Sequence, residues 1–264
     1  MMALVQRVLL AEKIYGKSLD RRLEEFGWEI MSQIEEMDIE GLDLDVVDKD
    51  WVLATVEGRD EVAVANLLRL RYGEVKSMEE VSEGEELRGF ITDLGRVGYG
   101  VYVDAFVEDK DALVPLYELR RSLVGGKKLP ARLISRLFGF VERMPLRIVV
   151  ERRRDGAVDA SIAPRQVAEF QRWLGRGLDV LVVSGYTVRE IRRALKKSGH
   201  AVDVIRIERL SFLCHALVCK ADTQARGLVP AVGPHLPGAP LGVFSPREIR
   251  RTISQAEGSQ EETG

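Results

Sequence analysis

The run GRVGYGVYVDAF, from Gly95 to Phe106, sets three glycines just ahead of and inside an apolar alternation. Glycines at that density bend the backbone sharply, and the residues from Tyr99 onward have the period of a strand. Two local folds meet that description: a phosphate-binding loop, or the turn and second strand of a small barrel. A dinucleotide fingerprint needs G-x-G-x-x-G between a strand and a helix, so that the pyrophosphate meets a helix N-terminus. Here the spacing is reversed, G-x-x-G-x-G, and it leads into a strand. A kinase-type glycine loop does join two strands, but it has the other spacing, and the chain contains no V-A-I-K, H-R-D or D-F-G after it. The barrel turn is the reading that remains. Alternation puts Tyr99, Val101 and Val103 on one face and Gly100, Tyr102 and Asp104 on the other, so one tyrosine is expected outside and its neighbour in the core.

The surrounding chain supplies the rest of such a barrel. LRGFITDLGRVG, YGVYVDAF, DALVPLYEL, PLRIVVERR and AVDASIAP read as five strands, and LPARLISRLFGF reads as a helix that Pro130 starts between the third and fourth. That is the order of an oligonucleotide-binding barrel, assigned to residues 85–163. Before it, residues 1–84 read as strand, helix, strand, strand, helix and a short last strand in EVKSMEEV, a ferredoxin-like sandwich. Ser18 and Asp60 stand as helix caps, Gly73 as a helix stop, and DKD as the turn of a hairpin. Residues 164–256 read as an α/β domain: helix PRQVAEFQRWLGRG, buried strand LDVLVVSG, helix TVREIRRALKKSG with a T-x-x-E capping box, then strands AVDVIRIERL and FLCHALVCK. GLVPAVGPHLPGAPLG reads as an irregular ordered loop, SPREIRRTISQ as a last helix, and 257–264 as a disordered tail. The expected class is therefore α+β and multidomain.

Charge divides the chain. Residues 1–86 hold 10 Lys and Arg against 22 Asp and Glu, a net of −12, while the remaining residues hold 29 against 20, a net of +9. Eleven basic residues and three acidic ones lie between Glu118 and Arg154. Such clustering is a phosphate-attracting field, a solvated face, or a partner for the acidic domain. In TVREIRRALKKSG, Arg189, Arg192, Arg193, Lys196 and Lys197 fall on one side of the helix and Val188, Ile191, Ala194 and Leu195 on the other. No apolar run approaches the eighteen or so residues that span a bilayer, and the start breaks into charge too soon for a signal peptide, so a cytoplasmic protein with no membrane partner is expected.

The barrel sequence resembles an S1-type RNA-binding domain, carried by LRGFITDLGRVGYGVYVDAF, DALVPLYEL and MPLRIVVERR. Tyr99 and Tyr102 match the two aromatic positions of that pattern, while Pro115 and Tyr117 replace its His and Ser. The whole chain, with GLVPAVGPHLPGAP after its last strands, is similar to an archaeal family numbered 2110 among the domains of unknown function. The S1 resemblance implies single-stranded or irregular RNA stacked on Tyr99 and Tyr102 beside Arg96, and the charge asymmetry and the basic face of the third-domain helix add an expected phosphate attraction from Lys127, Lys128, Arg132, Arg189, Arg192, Arg193 and Lys196.

No H-E-x-x-H, paired C-x-x-C, G-x-S-x-G or G-x-x-x-x-G-K-S/T occurs, so neither a metal nor another cofactor is expected. Cys214 and Cys219 lie five apart in a strand, on opposite faces and roughly 17 Å from one another, and read as two core thiols. The expectation is a non-catalytic RNA-binding or ribonucleoprotein-associated protein. The alternative is a scaffold whose barrel binds protein and whose acidic domain docks a basic partner.

Overall fold

A computed structural model describes residues 5–154 and 156–261. The chain forms two compact units, one of residues up to Glu80 together with Ala105–Glu108, the other of Val81–Asp104 and the chain from Asp109 onward. Among the described residues the fold is α+β, with three sheets, one of them a closed five-stranded barrel.

The first unit is built from β1 (Val5–Lys13), α1 (Leu19–Met31), β2 (Ile39–Val46), β3 (Trp51–Gly58) and α2 (Glu61–Tyr72). Its antiparallel sheet has the order β1-β3-β2. The β2–β3 hairpin turns where expected, through Lys49 and Asp50, both at positive φ, and the buried Lys13 ammonium donates to the Lys49 carbonyl at 2.6 Å. EVKSMEEV forms no strand. It makes two isolated bridges, Glu74 to Leu10 and Lys76 to Phe106, because Lys76 leaves the β1 edge to pair with another segment. Nor do the two expected caps form through their side chains. Ser18 sits at φ 62, in the left-handed region and not the extended one an N-cap uses, and Asp60 instead accepts from the Asp38 N–H at 2.8 Å. Gly73 does stop α2, its N–H reaching the Arg69 carbonyl.

In the second unit, β4 (Glu86–Thr92), β5 (Gly100–Asp104), β6 (Ala112–Pro115), β7 (Pro145–Arg154) and β8 (Ala157–Ile162) close in the order β4-β5-β6-β8-β7. The β6–β8 pair is parallel and the others antiparallel. The third strand is shorter than the sequence pattern suggests, and two helices stand after it in place of one. PLYEL does not continue β6: Pro115 ends the strand and caps α3 (Leu116–Val124), whose Leu119, Leu123 and Val124 are buried, and α4 (Ala131–Leu137) then starts after Pro130. Gly100 is required by proximity, since a Cβ there would lie 2.5 Å from the Val114 carbonyl oxygen and 2.7 Å from the Leu113 side chain.

The same unit contains α5 (Pro164–Arg176), β9 (Val180–Ser184), α6 (Val188–Lys197), β10 (Val204–Arg209), β11 (Cys214–Cys219), α7 (Ala225–Val232), β12 (Leu241–Phe244) and α8 (Pro246–Glu261). The expected proline-rich loop is thus half helix, with Pro230 inside α7, and it ends in an unforeseen edge strand. The sheet runs β10-β11-β9-β12, all antiparallel. Ile191, Ala194 and Leu195 of α6 pack with Leu181, Val183, Leu217 and Cys219 on one face. On the other, Phe244 joins Phe138 of the barrel, Phe170 and Trp173 in edge contacts and stacks of 5.3 to 6.4 Å. Trp173 donates its indole N–H at 2.9 Å to Glu208, on which Arg176 and Arg206 also converge. Burial opposes ionisation of Glu208, but these donors prevail and hold its carboxyl below the usual range. Both cysteines are buried thiols, as expected. Helix α8 takes in residues 257–261 of the expected tail, and 262–264 lie outside the described residues.

Candidate functional site

The loop from β4 to β5 is held from both ends. Asp93, at φ 49, and Leu94 donate their N–H groups to the Glu142 carboxylate, each at 3.1 Å. Arg132 on α4 donates twice to the Gly95 carbonyl, at 3.2 and 2.9 Å. Arg96 is left at the tip, its guanidinium 73% exposed and paired with Asp93 at 2.8 Å. An exposed pair of this kind is worth little and gives way readily to a stronger anion.

The loop delivers Tyr99 to the surface, 54% exposed. This corrects the expected alternation. The strand begins at Gly100, so Tyr99 is not bound to the inward side of Val101 and Val103, and its backbone carbonyl accepts from Leu116 at 2.7 Å. Tyr102 is half-buried on the outer side of β5, and the two hydroxyls meet at 2.7 Å with the rings edge to face, 6.3 Å apart. That hydrogen bond, with some burial, raises the pKa of the Tyr102 hydroxyl, so it stays neutral. Tyr117, 63% exposed on the first turn of α3, adds a third surface ring. The S1 pattern gives no reason to single it out, since Tyr117 departs from that pattern.

The basic run from Glu118 to Arg154 does not form one free surface. Arg121 pairs with Glu118 at 2.6 Å, Lys127 with Glu257 at 3.1 Å, Arg147 with Glu86 at 3.3 Å and Arg154 with Asp159 at 3.5 Å. Arg120 donates to the Leu129 carbonyl, and Arg153 to that of Val81. Lys128 is exposed just before α4.

Three family models cover the chain: the DUF2110 N-terminal domain matches residues 7–78, the DUF2110 central domain 81–174 and the DUF2110 C-terminal domain 178–244. The chain belongs to the DUF2110 family. No curated protein matches it.

In this DUF2110 chain the capping box of α6 is complete. Thr187 accepts from the Glu190 N–H, and the Glu190 carboxylate accepts from Thr187 at 2.8 Å. The helix shows Arg189, Arg192, Arg193, Lys196 and Lys197 to solvent. It packs on the Leu181 face of the sheet, whereas the aromatic cluster reaching the barrel lies on the Phe244 face. The register pairs Phe244 with Val180 and Val243 with Leu181, so the sheet itself stands between the two. The structure therefore brings Arg96, Tyr99, Tyr102 and Arg132 together around one loop and leaves the α6 cations on another surface. Among the described residues no group of three or more His, Cys, Asp or Glu side chains is placed to hold a metal ion, and no helix is long and apolar enough to cross a membrane.

Proposed function

We propose that the barrel is an S1-like oligonucleotide-binding fold, and that this is a cytoplasmic, non-catalytic RNA-binding or ribonucleoprotein-associated protein whose first unit is a ferredoxin-like sandwich with isolated bridges in place of its fourth strand. The observation that carries the reading is the tyrosine pair at the second barrel strand, Tyr99 just ahead of it and Tyr102 on its outer side, beside an arginine-tipped loop between the first and second strands. In oligonucleotide-binding barrels the second and third strands and that loop form the binding face. Exposed rings there provide stacking surfaces worth roughly 1 to 3 kcal/mol per base, and Arg96 and Lys128 supply charge for the backbone. In filter-binding titrations of a single-stranded RNA at two salt concentrations, affinity should fall steeply with salt. Tyr99→Ala combined with Tyr102→Ala should weaken it at least about tenfold. No binding at low salt, or no loss in the double variant, would overturn the reading.

A protein-docking role is favoured by a different observation, in the acidic first unit. Trp28 is 79% exposed on α1, a helix that also carries Glu24, Glu25 and Glu29, and Leu70 is 89% exposed on α2 between Arg69 and Arg71. A basic protein partner held there would remain bound after nuclease treatment and be released by Trp28→Ala. RNA-bridged association would show the opposite pattern in the same pull-down.

A further inference from the structure

Within the second unit, a cleft of about 390 Å³ opens where the β4–β5 loop and α4 of the barrel face α7, β12 and α8. Among the described residues that line it are three arginines, Arg132, Arg136 and Arg226, and one carboxylate residue, Glu248. Glu248 is taken by Arg226 at 2.8 Å. Arg132 spends two N–H groups on the neutral Gly95 carbonyl and keeps its full charge. Arg136 is exposed one turn further along α4 and makes no ion pair or hydrogen bond through its side chain with another described residue. Like charges at i and i+4 on one helix repel. Here two such charges stand uncompensated beside an apolar wall of Phe140, Leu241 and Val243.

That combination is specific in its chemistry. Planar, forked donors suit a phosphate, and an apolar wall suits the face of a base. The volume exceeds what a bare phosphate needs and falls within the range of small-molecule sites. We propose that this cleft binds one phosphorylated nucleotide, with Arg132 and Arg136 on the phosphate and the apolar wall against the base. The nucleotide is either free or one unit of an RNA strand. The second source rests on the RNA-binding reading, and Gly95 makes it geometrically direct, since the loop that forms the cleft wall runs on through Arg96 to Tyr99.

The test uses the full chain, with Arg136→Glu as the probe and Arg165→Glu, an exposed charge reversal on α5 outside the cleft, as the control for general electrostatics. Calorimetric titration with adenosine 5′-monophosphate should show binding that Arg136→Glu weakens at least about tenfold, whereas adenosine should bind at least about tenfold more weakly than its monophosphate. If the nucleotide belongs to RNA, the monophosphate should also compete with a labelled oligonucleotide. Arg136→Glu should then reduce RNA affinity several-fold more than Arg165→Glu. Equal losses from the two reversals, or monophosphate binding that ignores Arg136→Glu, or no monophosphate binding at all, would overturn the cleft assignment. RNA binding that depends on Tyr99 and Tyr102 but not on Arg136 would overturn it while leaving the RNA reading intact. Monophosphate binding lost on Arg136→Glu in a protein that binds no RNA would do the reverse, leaving the cleft as a site for a free nucleotide.

Discussion

Gly242→Ala is expected to destabilise the second unit by about 3 kcal/mol, at the upper end of what overpacking an interior usually costs. A Cβ at this position would lie 2.2 Å from the carbonyl oxygen of Gly139, 2.8 Å from its carbonyl carbon and 2.8 Å from the Val141 side chain. Two of those three atoms are backbone, so no rotamer change relieves the clash. Gly139 is constrained as well: its φ is +66, and a Cβ placed on it would itself lie 3.2 Å from the backbone of Val243 and Phe244. The paired glycines let β12 lie against the turn after α4, and the Phe138–Phe244 bridge and ring contacts seal the junction. For a unit of this size the loss corresponds to a fall of roughly 6 to 12 °C in melting temperature, measurable by calorimetry. A change below about 1 kcal/mol would mean that the junction yields, and the packing argument would fail. Because both glycines also line the nucleotide cleft, the substitution should weaken monophosphate binding as well.

That junction lies beyond the reach of local sequence signals. Features that act within a few residues are legible: the T-x-x-E box and opposed faces of α6, the DKD turn of the hairpin, and the glycine-rich entry into β5. PLYEL is ambiguous, because Pro115 is compatible both with the end of an edge strand and with the start of a helix. The Leu119, Leu123 and Val124 spacing that decides for the helix is masked by the apolar run before it. The basic cluster is visible as composition, but its meaning lies in partners remote in the chain. Arg147 finds Glu86, Arg153 finds Val81 and Lys127 finds Glu257. Of the expected RNA-binding residues, Arg96, Tyr99 and Tyr102 lie together because they are neighbours in and just after one turn, whereas Arg132 reaches that turn from α4 through the Gly95 carbonyl. Arg226 joins Arg132 and Arg136 only through the tertiary approach of Gly139 to Gly242.

Acidification should loosen the four-stranded sheet well above the range in which carboxylates titrate, and His215→Leu should abolish most of that sensitivity. His215 lies on β11, 2% exposed, and its Nδ1 has no hydrogen-bond partner among the described residues. Burial, reinforced by Arg209 and Arg192 and opposed by a backbone hydrogen bond at Tyr186, lowers its pKa from 6.5 to about 4. With the folded value below the unfolded one, the unfolded chain takes up the proton first. Stability is therefore intact above pH 6.5 and drains away down to about pH 4, by about 3 kcal/mol in all at roughly 1.4 kcal/mol per pH unit. Glu208, with its carboxyl held below the usual 4.5, acts lower: its contribution is lost only as pH falls below that value. Glu169 has the contrary sign. Burial raises its pKa, so its penalty is relieved, not incurred, as acid is added. Leucine at 215 fits the apolar company of Val183 and Leu217 and removes an unpartnered polar atom, so the variant should fold at pH 7. Hydrogen exchange of the β9 and β11 amides at pH 7 and pH 4.5 separates the two proteins. The wild type should lose about 2 to 3 kcal/mol more protection than His215→Leu between those conditions, and equal losses would show that the histidine is not the group that titrates.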